Sequence, residues 1–194
     1  MINPFNARIK PGICPLCGKT LFIKLANNEW AVRCPFCRGA PNTMAIVHYL
    51  KTLAGGLHDK ELYILSCKGP LFVYLKKNTR HLHYSQFFED TNPGDFRGRV
   101  QCQDVQQLTF RDASFNVCVS SEVFEHVPDD GKGFSELYRV LRPGGVLLFT
   151  VPLHDTMQTL ERAFIRNGQI HHVLDPEYHN DPFRLKILCF RDYG

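Results

Sequence analysis

The sequence predicts an α/β protein in which a doubly wound, mostly parallel sheet follows a small cysteine-rich module. From residue 61 onward, near-continuous apolar strands alternate with amphipathic helices, as in a parallel sheet that is covered on both faces. Before residue 61, four of the eight cysteines form two Cys-x-x-Cys pairs. An apolar content of 44% and a charged content of 22% over 194 residues are typical of a globular protein with a substantial core.

The positive charge of the chain is concentrated in its first part. Residues 1–60 contain eight Lys/Arg and two Asp/Glu, a net charge of +6, whereas residues 61–194 contain fifteen and seventeen, a net charge of −2. This asymmetry indicates either an anionic partner, such as RNA, or only a solvated basic face. The N-terminus lacks the apolar region of a signal peptide, and the longest apolar run, residues 146–153, is too short to cross a membrane. We therefore expect a cytoplasmic protein without a membrane partner.

Four cysteines near the N-terminus are spaced as ligands of a structural zinc ion. Two residues separate Cys14 from Cys17 and Cys34 from Cys37, so that one tight turn points both sulfurs of a pair at the same place. The segments TLFIKL and WAVR between the pairs are predicted to form a hairpin. Without secretory signals, zinc is favoured over a disulfide pair or a redox Cys-x-x-Cys. We predict a zinc-ribbon-like module over residues 1–41, whose closed four-cysteine site is structural.

The aromatic and basic residues of this module allow two interpretations. The rings could stack on bases while the cations contact phosphates, which would make an RNA-binding surface. Alternatively, the rings form the small core of the module and the cations its solvated rim, which ordinary burial preferences favour. The residues concerned are Phe22, Trp30, Phe36, Lys19, Lys24, Arg33 and Arg38.

Residues 42–60 are predicted to connect the module to the main domain. Asn42 or Thr43 is expected to cap a helix that Gly55 and Gly56 end. The apolar residues that share one face of this helix are Ile46, Val47, Leu50, Leu53 and Ala54.

The main domain, residues 61–194, is predicted to begin with a strand, a short turn and a helix, the layout of a nucleotide-binding βα unit. A later helix at residues 129–141 is indicated by acidic residues at its start and by Pro143-Gly144-Gly145 after its end. In such a sheet the ligand lies at the carboxyl ends of the strands. Strands are predicted at residues 62–66, 81–85, 98–102, 115–121, 146–152 and 186–191, helices at 69–78 and 155–168, and an apolar stripe at Phe134, Leu137, Tyr138 and Leu141.

Residues 99–152 carry a resemblance to a known family. The features that carry it are FNVCVSS, an acidic turn with His126-Val127-Pro128, and the helix end VLRPGG. This stretch resembles class I S-adenosylmethionine-dependent methyltransferases, in particular those of methyltransferase type 11. The resemblance implies a Rossmann-like fold, S-adenosylmethionine as the cofactor and an unidentified methyl acceptor as the partner.

The resemblance also implies the residues that bind the cofactor. Asp104 and Val105 would border the adenine, although Asp104 taken alone could equally be a turn-forming aspartate. Ser120, with the residues up to Glu122, would line the floor near the reactive sulfur. Completing the set, Ser66, Cys67 and Gly69 would face the methionine moiety, and Gln86 the ribose hydroxyls.

Several positions depart from the family pattern. Ile64 stands where strand one commonly ends in an acid, and Ser66-Cys67-Lys68-Gly69 replaces a glycine-rich loop. Gln86 replaces the ribose-binding acid, with Glu89 and Asp90 a few residues late, and Asn116 replaces an acid in strand four. The chain is also C-terminally short, which is expected to leave a sheet edge unpaired that a second copy could cover. These departures keep a second function open: a catalytically inactive, methyltransferase-like binding or scaffold protein.

Methyl transfer needs alignment and sometimes a base for the acceptor. His126 is the candidate base because imidazole titrates near neutral pH, and Glu122 is the second catalytic candidate. A lone histidine before Val-Pro is, however, also a common turn residue. Other candidates at the pocket mouth are Glu125, Tyr178 and His179. The set His171, His172, His179, Asp175 and Glu177 could also form a second metal site, but its spacing is irregular.

Overall fold

The structure is a computed structural model that describes residues 8–26, 31–179 and 186–194. Its internal contacts divide the chain into two compact units. The first unit is Met1–Lys60 together with Lys68–Leu82, and the second is Glu61–Cys67 together with His83–Gly194. The domain boundaries predicted at residues 41 and 60 stay predictions, and the first unit extends beyond them to residues 68–82.

The first unit contains a small antiparallel sheet and two helices. Strands β1 (Arg8–Pro11), β2 (Leu21–Lys24) and β3 (Val32–Arg33) pair in that order, which confirms the predicted hairpin between the cysteine pairs. Helix α1 (Pro41–Leu50) starts with proline in its first turn, where the missing N–H costs nothing. Helix α2 (Gly69–Asn78) packs against α1.

Helix α1 ends earlier than Gly55-Gly56, where the sequence placed its end. Both the backbone N–H and the hydroxyl of Thr52 donate to the Tyr49 carbonyl, at 2.9 and 2.7 Å. These contacts tighten the last turn, so that the regular helix stops at Leu50. The predicted cap at Asn42 or Thr43 is also wrong, because the N-cap is Ala40, two residues before Asn42, and both predicted residues lie inside the helix.

The second unit is built on a six-stranded sheet in which β4 pairs with β8, β8 with β9 and β5 with β7 in parallel, while the short β6 pairs antiparallel with β7. The strand order is β6-β7-β5-β4-β8-β9. Chain order therefore reverses between β4 and β8, which gives the doubly wound, Rossmann-like fold that the sequence predicts. The strands are β4 (Glu61–Ile64), β5 (His81–Gln86), β6 (Phe96–Arg97), β7 (Val100–Cys102), β8 (Phe115–Ser121) and β9 (Leu141–Thr150).

Strand β9 forms one edge of the sheet among the residues that the structure describes. This is the place where the sequence predicted an unpaired edge. Pairing of that edge with a second copy of the chain stays a prediction.

Aromatic packing fills the core of the second unit. Tyr63 stacks on Phe115 with ring centroids 5.2 Å apart and is fully buried, while its hydroxyl lies 2.7 Å from the Ser85 hydroxyl. Phe124, on a single 3₁₀ turn, stacks on Phe134 at 4.0 Å. Because the two hydroxyls hydrogen-bond each other, neither is left unpaired in this core, where an unpaired polar group would be costly.

Helix α3 (Asp130–Val140) is capped by Asp129, whose carboxylate accepts from the Lys132 N–H at 3.0 Å. Two details of the prediction for this helix are wrong, and the first is its apolar stripe. Tyr138 is 82% exposed, and the buried stripe is Gly133, Leu137 and Val140.

Pro143-Gly144-Gly145 does not end this helix but lies inside strand β9, which is the second correction. Phe115 pairs with Leu141, whereas Val117 already pairs with Val146. The proline and glycines are therefore accommodated in a bulge, because proline lacks the N–H that a continuous ladder requires.

The helix predicted at residues 155–168 is wrong. Strands β10 (Leu160–Glu161), β11 (Ala163–Arg166) and β12 (Gln169–His172) occupy this region, and β11 and β12 form a hairpin. Asn167 and Gly168 both have positive φ, 53° and 73°, as a two-residue hairpin turn of type I′ requires. The Asn-Gly dipeptide was the sequence signal for this hairpin.

The strand predicted at residues 186–191 is present as two short pieces, β14 (Ile187–Leu188) and β15 (Arg191–Asp192). They pair with β13 (Tyr178–His179) and β10, respectively. None of the helices in the described residues has the length and apolar composition of a transmembrane segment.

The tight packing of α3 on Phe124 gives a testable prediction. A Cβ atom at Gly133 would lie 2.9 Å from the Phe124 ring, whereas one at exposed Gly131 would make only an ordinary contact at 3.4 Å. We expect Gly133→Ala to lower the free energy of unfolding by about 1–3 kcal/mol through overpacking. Gly131→Ala, the matched control in the same helix, should be neutral or stabilise by up to about 1 kcal/mol. Urea denaturation measures both, and equal effects of the two substitutions would contradict the packing described here.

Candidate functional site

The second unit contains a cavity of about 880 Å³ at the carboxyl ends of its parallel strands. Ser66 follows β4, Gln86 ends β5, Asp104 follows β7 and Ser121 ends β8, and all four residues line the cavity. The cavity lies where the strand order reverses, which is the usual ligand position in an open α/β sheet. Its volume falls within the ~300–1,000 Å³ that is typical of small-molecule sites.

The structure brings together some of the predicted cofactor residues and not others. Val105 lines the cavity, together with Ser66, Gln86 and Asp104. Cys67 and Ser120 are buried and are not among the lining residues, and Ser121 takes the place expected for Ser120. Gly69 lies at the first position of α2, in the first unit. The roles of all these residues in cofactor binding stay predictions.

Asp104 forms a turn and also faces the cavity. Its Oδ1 accepts from the Gln106 backbone N–H at 2.9 Å, as a turn-forming aspartate does. The other carboxylate oxygen, Oδ2, accepts a hydrogen bond from the Gln106 side-chain amide at 3.3 Å, and within the described residues this is its one hydrogen bond. Asp104 can therefore form the turn and also border the adenine, so the two interpretations from the sequence are compatible with each other.

The loop after Asp104 is fixed by side chains from two elements. The buried Gln103 side chain accepts from the Thr109 N–H at 3.0 Å and donates to the Thr109 hydroxyl at 2.6 Å. From α3, Glu136 accepts from the Leu108 N–H at 2.8 Å, and Arg139 donates to the Leu108 carbonyl at 2.9 Å. Because these contacts hold the backbone, the cavity wall at Asp104 and Val105 is preorganised.

A carboxylate is present near the position of the missing ribose-binding acid. Glu89 lines the cavity three residues after Gln86. In the sequence, Glu89 lies three residues after the position expected for this acid. The turn after β5 nevertheless places it in the cavity wall. Ile64, in the place of another expected acid, is buried in β4.

Glu122, directly after β8, has a strained backbone. Its φ is 54°, in the left-handed region that non-glycine residues rarely adopt, and its N–H donates to the Thr150 carbonyl at 2.9 Å. Its buried Oε1 has no hydrogen-bond partner among the described residues. Such strain concentrates at functional sites, and no feature of the sequence predicted it here.

Glu125 places a carboxyl group in the wall of the cavity with little contact to water. The residue is 2% exposed, and neither carboxyl oxygen has a hydrogen-bond partner among the described residues. Burial, with a smaller contribution from the charge of Glu122, raises the pKa of Glu125 to about 8. From the sequence, Glu125 was one of several residues predicted at the mouth of the pocket, and its burial was not predicted.

His126 is oriented by the C-terminal segment. Its Nδ1 lies 2.9 Å from the Leu188 carbonyl, which can only accept, so Nδ1 carries the proton. In the neutral ring Nε2 is then the basic nitrogen, and it lies 3.6 Å from Glu125 Oε1. His126 also lines the cavity, so the geometry suits a general base.

The four cysteines of the first unit converge as the zinc prediction requires. Their sulfur atoms all lie within 4.8 Å of one another, with Cys14 and Cys37 at 3.6 Å and Cys17 and Cys34 at 3.5 Å. Sulfurs around zinc lie about 3.8 Å apart, given Zn–S bonds of about 2.3 Å. The donor set therefore fits a closed tetrahedral zinc site.

The RNA surface proposed for this module is only partly described. Trp30 lies outside the described residues. Phe36 is 60% exposed with the Lys19 ammonium 5.9 Å from its ring, whereas Phe22 packs against Gly12. RNA binding stays a prediction.

The second metal site considered from the sequence is not assembled as expected. Of its five members, His179 and Glu177 approach each other at 3.4 Å, while His171 instead stacks on Phe164. Within the described residues, the cluster that contains His179 is completed by His126 and Cys189.

Comparison with known proteins places a methyltransferase signature in the middle of the chain. Residues 74–149 match the family model of the methyltransferase domain. The chain is 39% identical over 61 residues to malonyl-[acyl-carrier protein] O-methyltransferase of Serratia marcescens, covering 31% of this chain and 24% of that protein. It is 54% identical over 86 residues to an uncharacterized methyltransferase of Mycobacterium sp. strain KMS, covering 43% and 32%. The chain thus spans about a third or less of these relatives.

Among solved structures, the YcgJ protein of Bacillus subtilis superposes with a TM-score of 0.48 at 15% identity, covering 58% of this chain and 50% of that one.

The strain at Glu122 predicts that two substitutions at this position differ in their effect on stability. A left-handed conformation costs a non-glycine residue about 1–2 kcal/mol. We therefore expect Glu122→Gly to unfold with a free energy about 1 kcal/mol higher than Glu122→Ala, although both remove the same carboxylate. Chemical denaturation of the two variants measures this difference. Equal stabilities would show that the backbone at Glu122 is not strained.

The zinc assignment predicts a loss of both metal and structure. Because a module of this size depends on its metal for folding, Cys34→Ser should lower the zinc content by one ion per chain and abolish the melting transition of the first unit. Cys67→Ala, which removes a buried cysteine outside the cluster, should retain the zinc. Atomic emission and calorimetry test this, and an unchanged zinc content in Cys34→Ser would refute it.

Proposed function

We propose that the protein is an S-adenosylmethionine-dependent methyltransferase with a structural zinc module. The single observation that supports this best is the cavity at the reversal of strand order, where Ser66, Gln86 and Asp104 meet at neighbouring strand ends. The match of residues 74–149 to a methyltransferase domain supports the same conclusion. S-adenosylmethionine would supply an electrophilic methyl group on a sulfonium sulfur.

The residues present fit the polar groups of this cofactor. Asp104 can accept from the exocyclic amine of adenine, with Val105 against the ring. Gln86 and Glu89 can bind the two ribose hydroxyls, the carboxylate more strongly than the amide. On the β4 side, Ser66 is placed to contact the methionine moiety, for which the sequence also nominated Cys67 and Gly69. All of these residues except Cys67 and Gly69 line the cavity.

His126 is the residue proposed to act on the acceptor. Its Nε2 can take a proton from an acceptor hydroxyl, amine or thiol, since Nδ1 is held on the Leu188 carbonyl. Glu122, which also lines the cavity, can orient the acceptor or stabilise the charge that develops on His126. Alignment of the acceptor with the methyl group accounts for the rest of the catalysis that such a site requires.

The far wall of the cavity indicates the character of the acceptor. Ile165 and Ile170, on the β11–β12 hairpin, line it together with Tyr178 and Phe190. Apolar walls exclude water and favour an acceptor with an aliphatic or aromatic body. The O-methyltransferase relative acts, by its name, on a malonyl group held on an acyl carrier protein; we leave the acceptor of this chain unassigned.

A catalytically inactive scaffold is the second interpretation, and the structure gives it less support. That interpretation is motivated by Ile64 and by the missing glycines of the Ser66–Gly69 turn. It expects a filled or closed site, whereas the cavity is open and contains Glu89 as an additional acid. The fold alone does not decide between the two, because it supports many functions.

Cofactor recognition by Asp104 can be tested by an isosteric substitution. Asp104→Asn retains the oxygen that accepts from the Gln106 N–H but removes the negative charge. We expect the Kd for S-adenosylmethionine, measured by isothermal titration, to rise about tenfold or more, since a hydrogen bond to a charged group contributes about 1.5–3 kcal/mol. Exposed Asp95→Asn is the matched control and should bind as the wild type does. The same affinity in both variants would exclude Asp104 from the binding site.

A further inference from the structure

Three side chains from three separate segments, His126, His179 and Cys189, cluster beside the cavity, and the Glu125 carboxyl group lies next to the two histidines. Glu125 and His126 belong to the turn after β8, His179 ends β13, and Cys189 lies between β14 and β15. The ligand atoms of His126, His179 and Cys189 all lie within 4.8 Å of one another. Glu125 Oε1 lies 3.6 Å from His126 Nε2 and 4.0 Å from His179 Nδ1.

These distances approach those of a metal site. Ligands at about 2.0–2.3 Å from zinc lie about 3.3–3.8 Å from one another in a tetrahedron. Small side-chain movements toward a common centre would therefore complete coordination. Imidazole, thiolate and carboxylate are the three ligand types that zinc accepts in proteins.

One ring nitrogen of each histidine faces Glu125, whereas Cys189 Sγ lies 3.8 Å from the other nitrogen of His126, Nδ1. His126 Nδ1 is held at 2.9 Å by the Leu188 carbonyl, so that Nε2 points to Glu125. His179 Nε2 lies 3.4 Å from Glu177 Oε1, so that Nδ1 is the nitrogen nearer to Glu125. An outer acceptor on one ring nitrogen, with the other directed into the site, is the usual arrangement around a protein-bound metal.

The Glu125 carboxyl group is an independent indication of a cation. It is 98% buried, and neither oxygen has a hydrogen-bond partner among the residues that the structure describes. A buried carboxyl group without hydrogen-bond partners is costly and requires its own proton, a protonated histidine beside it or a metal cation. Its Oε1 is directed between the two histidines, where a metal ion would satisfy it.

We propose that His126, His179 and Cys189 bind a divalent ion of the zinc type beside the Glu125 carboxyl group, distinct from the ion of the four-cysteine module. His126 and His179 line the cavity, so an exchangeable coordination position can face it. An open position of this kind takes a hydroxyl, thiol or carboxylate group. Resting on the proposed methyltransferase function, we assign that position to the acceptor.

This assignment changes the role of His126. With the ion bound, His126 Nε2 is a ligand and does not take the acceptor proton. The ion lowers the pKa of a coordinated hydroxyl or thiol, whose proton then leaves to water. Metal dependence therefore distinguishes the two roles of His126.

The test counts zinc ions in the full-length protein after reconstitution with zinc and removal of the excess. We expect two ions per chain in the wild type and one in His179→Ala and in His126→Ala, with the affinity of the second ion falling by at least ~100-fold. His171→Ala, which removes an exposed histidine of β12 outside the cluster, is the matched control and should retain two. One ion per chain in the wild type, or two tight ions in both site variants, would overturn the proposal.

A second readout guards against misfolding of the variants. Cobalt(II) added to wild-type protein with a zinc-filled module should give a sulfur-to-metal charge-transfer band that Cys189→Ser lacks while it still binds cobalt. The same band in Cys189→Ser would contradict ligation by Cys189, and no cobalt binding in the wild type would contradict the site. Titration with S-adenosylmethionine, performed separately, reports on the methyltransferase proposal, so that either proposal can fail without the other.

Discussion

The parallel pairing of β4 with β8 is the constraint on which the rest of the site depends. Leu62, Tyr63 and Ile64 pair in register with Val117, Cys118 and Val119, and strand order reverses at this pair. Parallel strands direct their carboxyl ends to the same edge, so the turn after β4 and the turn after β8 open on one space. Apolar burial drives the pairing, because these residues are almost fully excluded from water. The cavity is thus a consequence of the core rather than an addition to it.

The cavity wall at Glu125 and His126 is ordered by the last residues of the described chain. The buried guanidinium of Arg191 donates to the carbonyls of Val127 and Pro128, each at 2.9 Å, and lies 3.2 Å from Asp130. The Phe190 N–H donates to the Glu125 carbonyl at 2.7 Å. A buried cation is tolerated only where dipoles and a carboxylate surround it in this way. The turn that presents Glu125 and His126 is therefore held by contacts that span more than sixty residues of sequence.

Local signals in the sequence were sufficient for the scaffold and insufficient for the cavity wall at Glu125 and His126. The apolar run of β8 and the spacing of the cysteine pairs depend on near neighbours, and both predictions agree with the structure. The bulge at Pro143-Gly144-Gly145 is different, because proline and glycine end helices and also interrupt strands. Residues 155–168 have a helical composition, but the Asn167-Gly168 turn and the pairing of β11 with β12 override it. The convergence of His126 with His179 and Cys189 depends on tertiary packing, for which one sequence contains no local signal.

The central claim is that the cavity between Ser66, Gln86 and Asp104 binds S-adenosylmethionine. A crystal structure of the full-length protein soaked with S-adenosylhomocysteine, the demethylated cofactor, tests it most directly. We expect density for the adenine beside Asp104 and Val105, with the ribose against Gln86 and Glu89. An empty cavity at millimolar ligand, or the ligand bound elsewhere on the protein, would contradict the account.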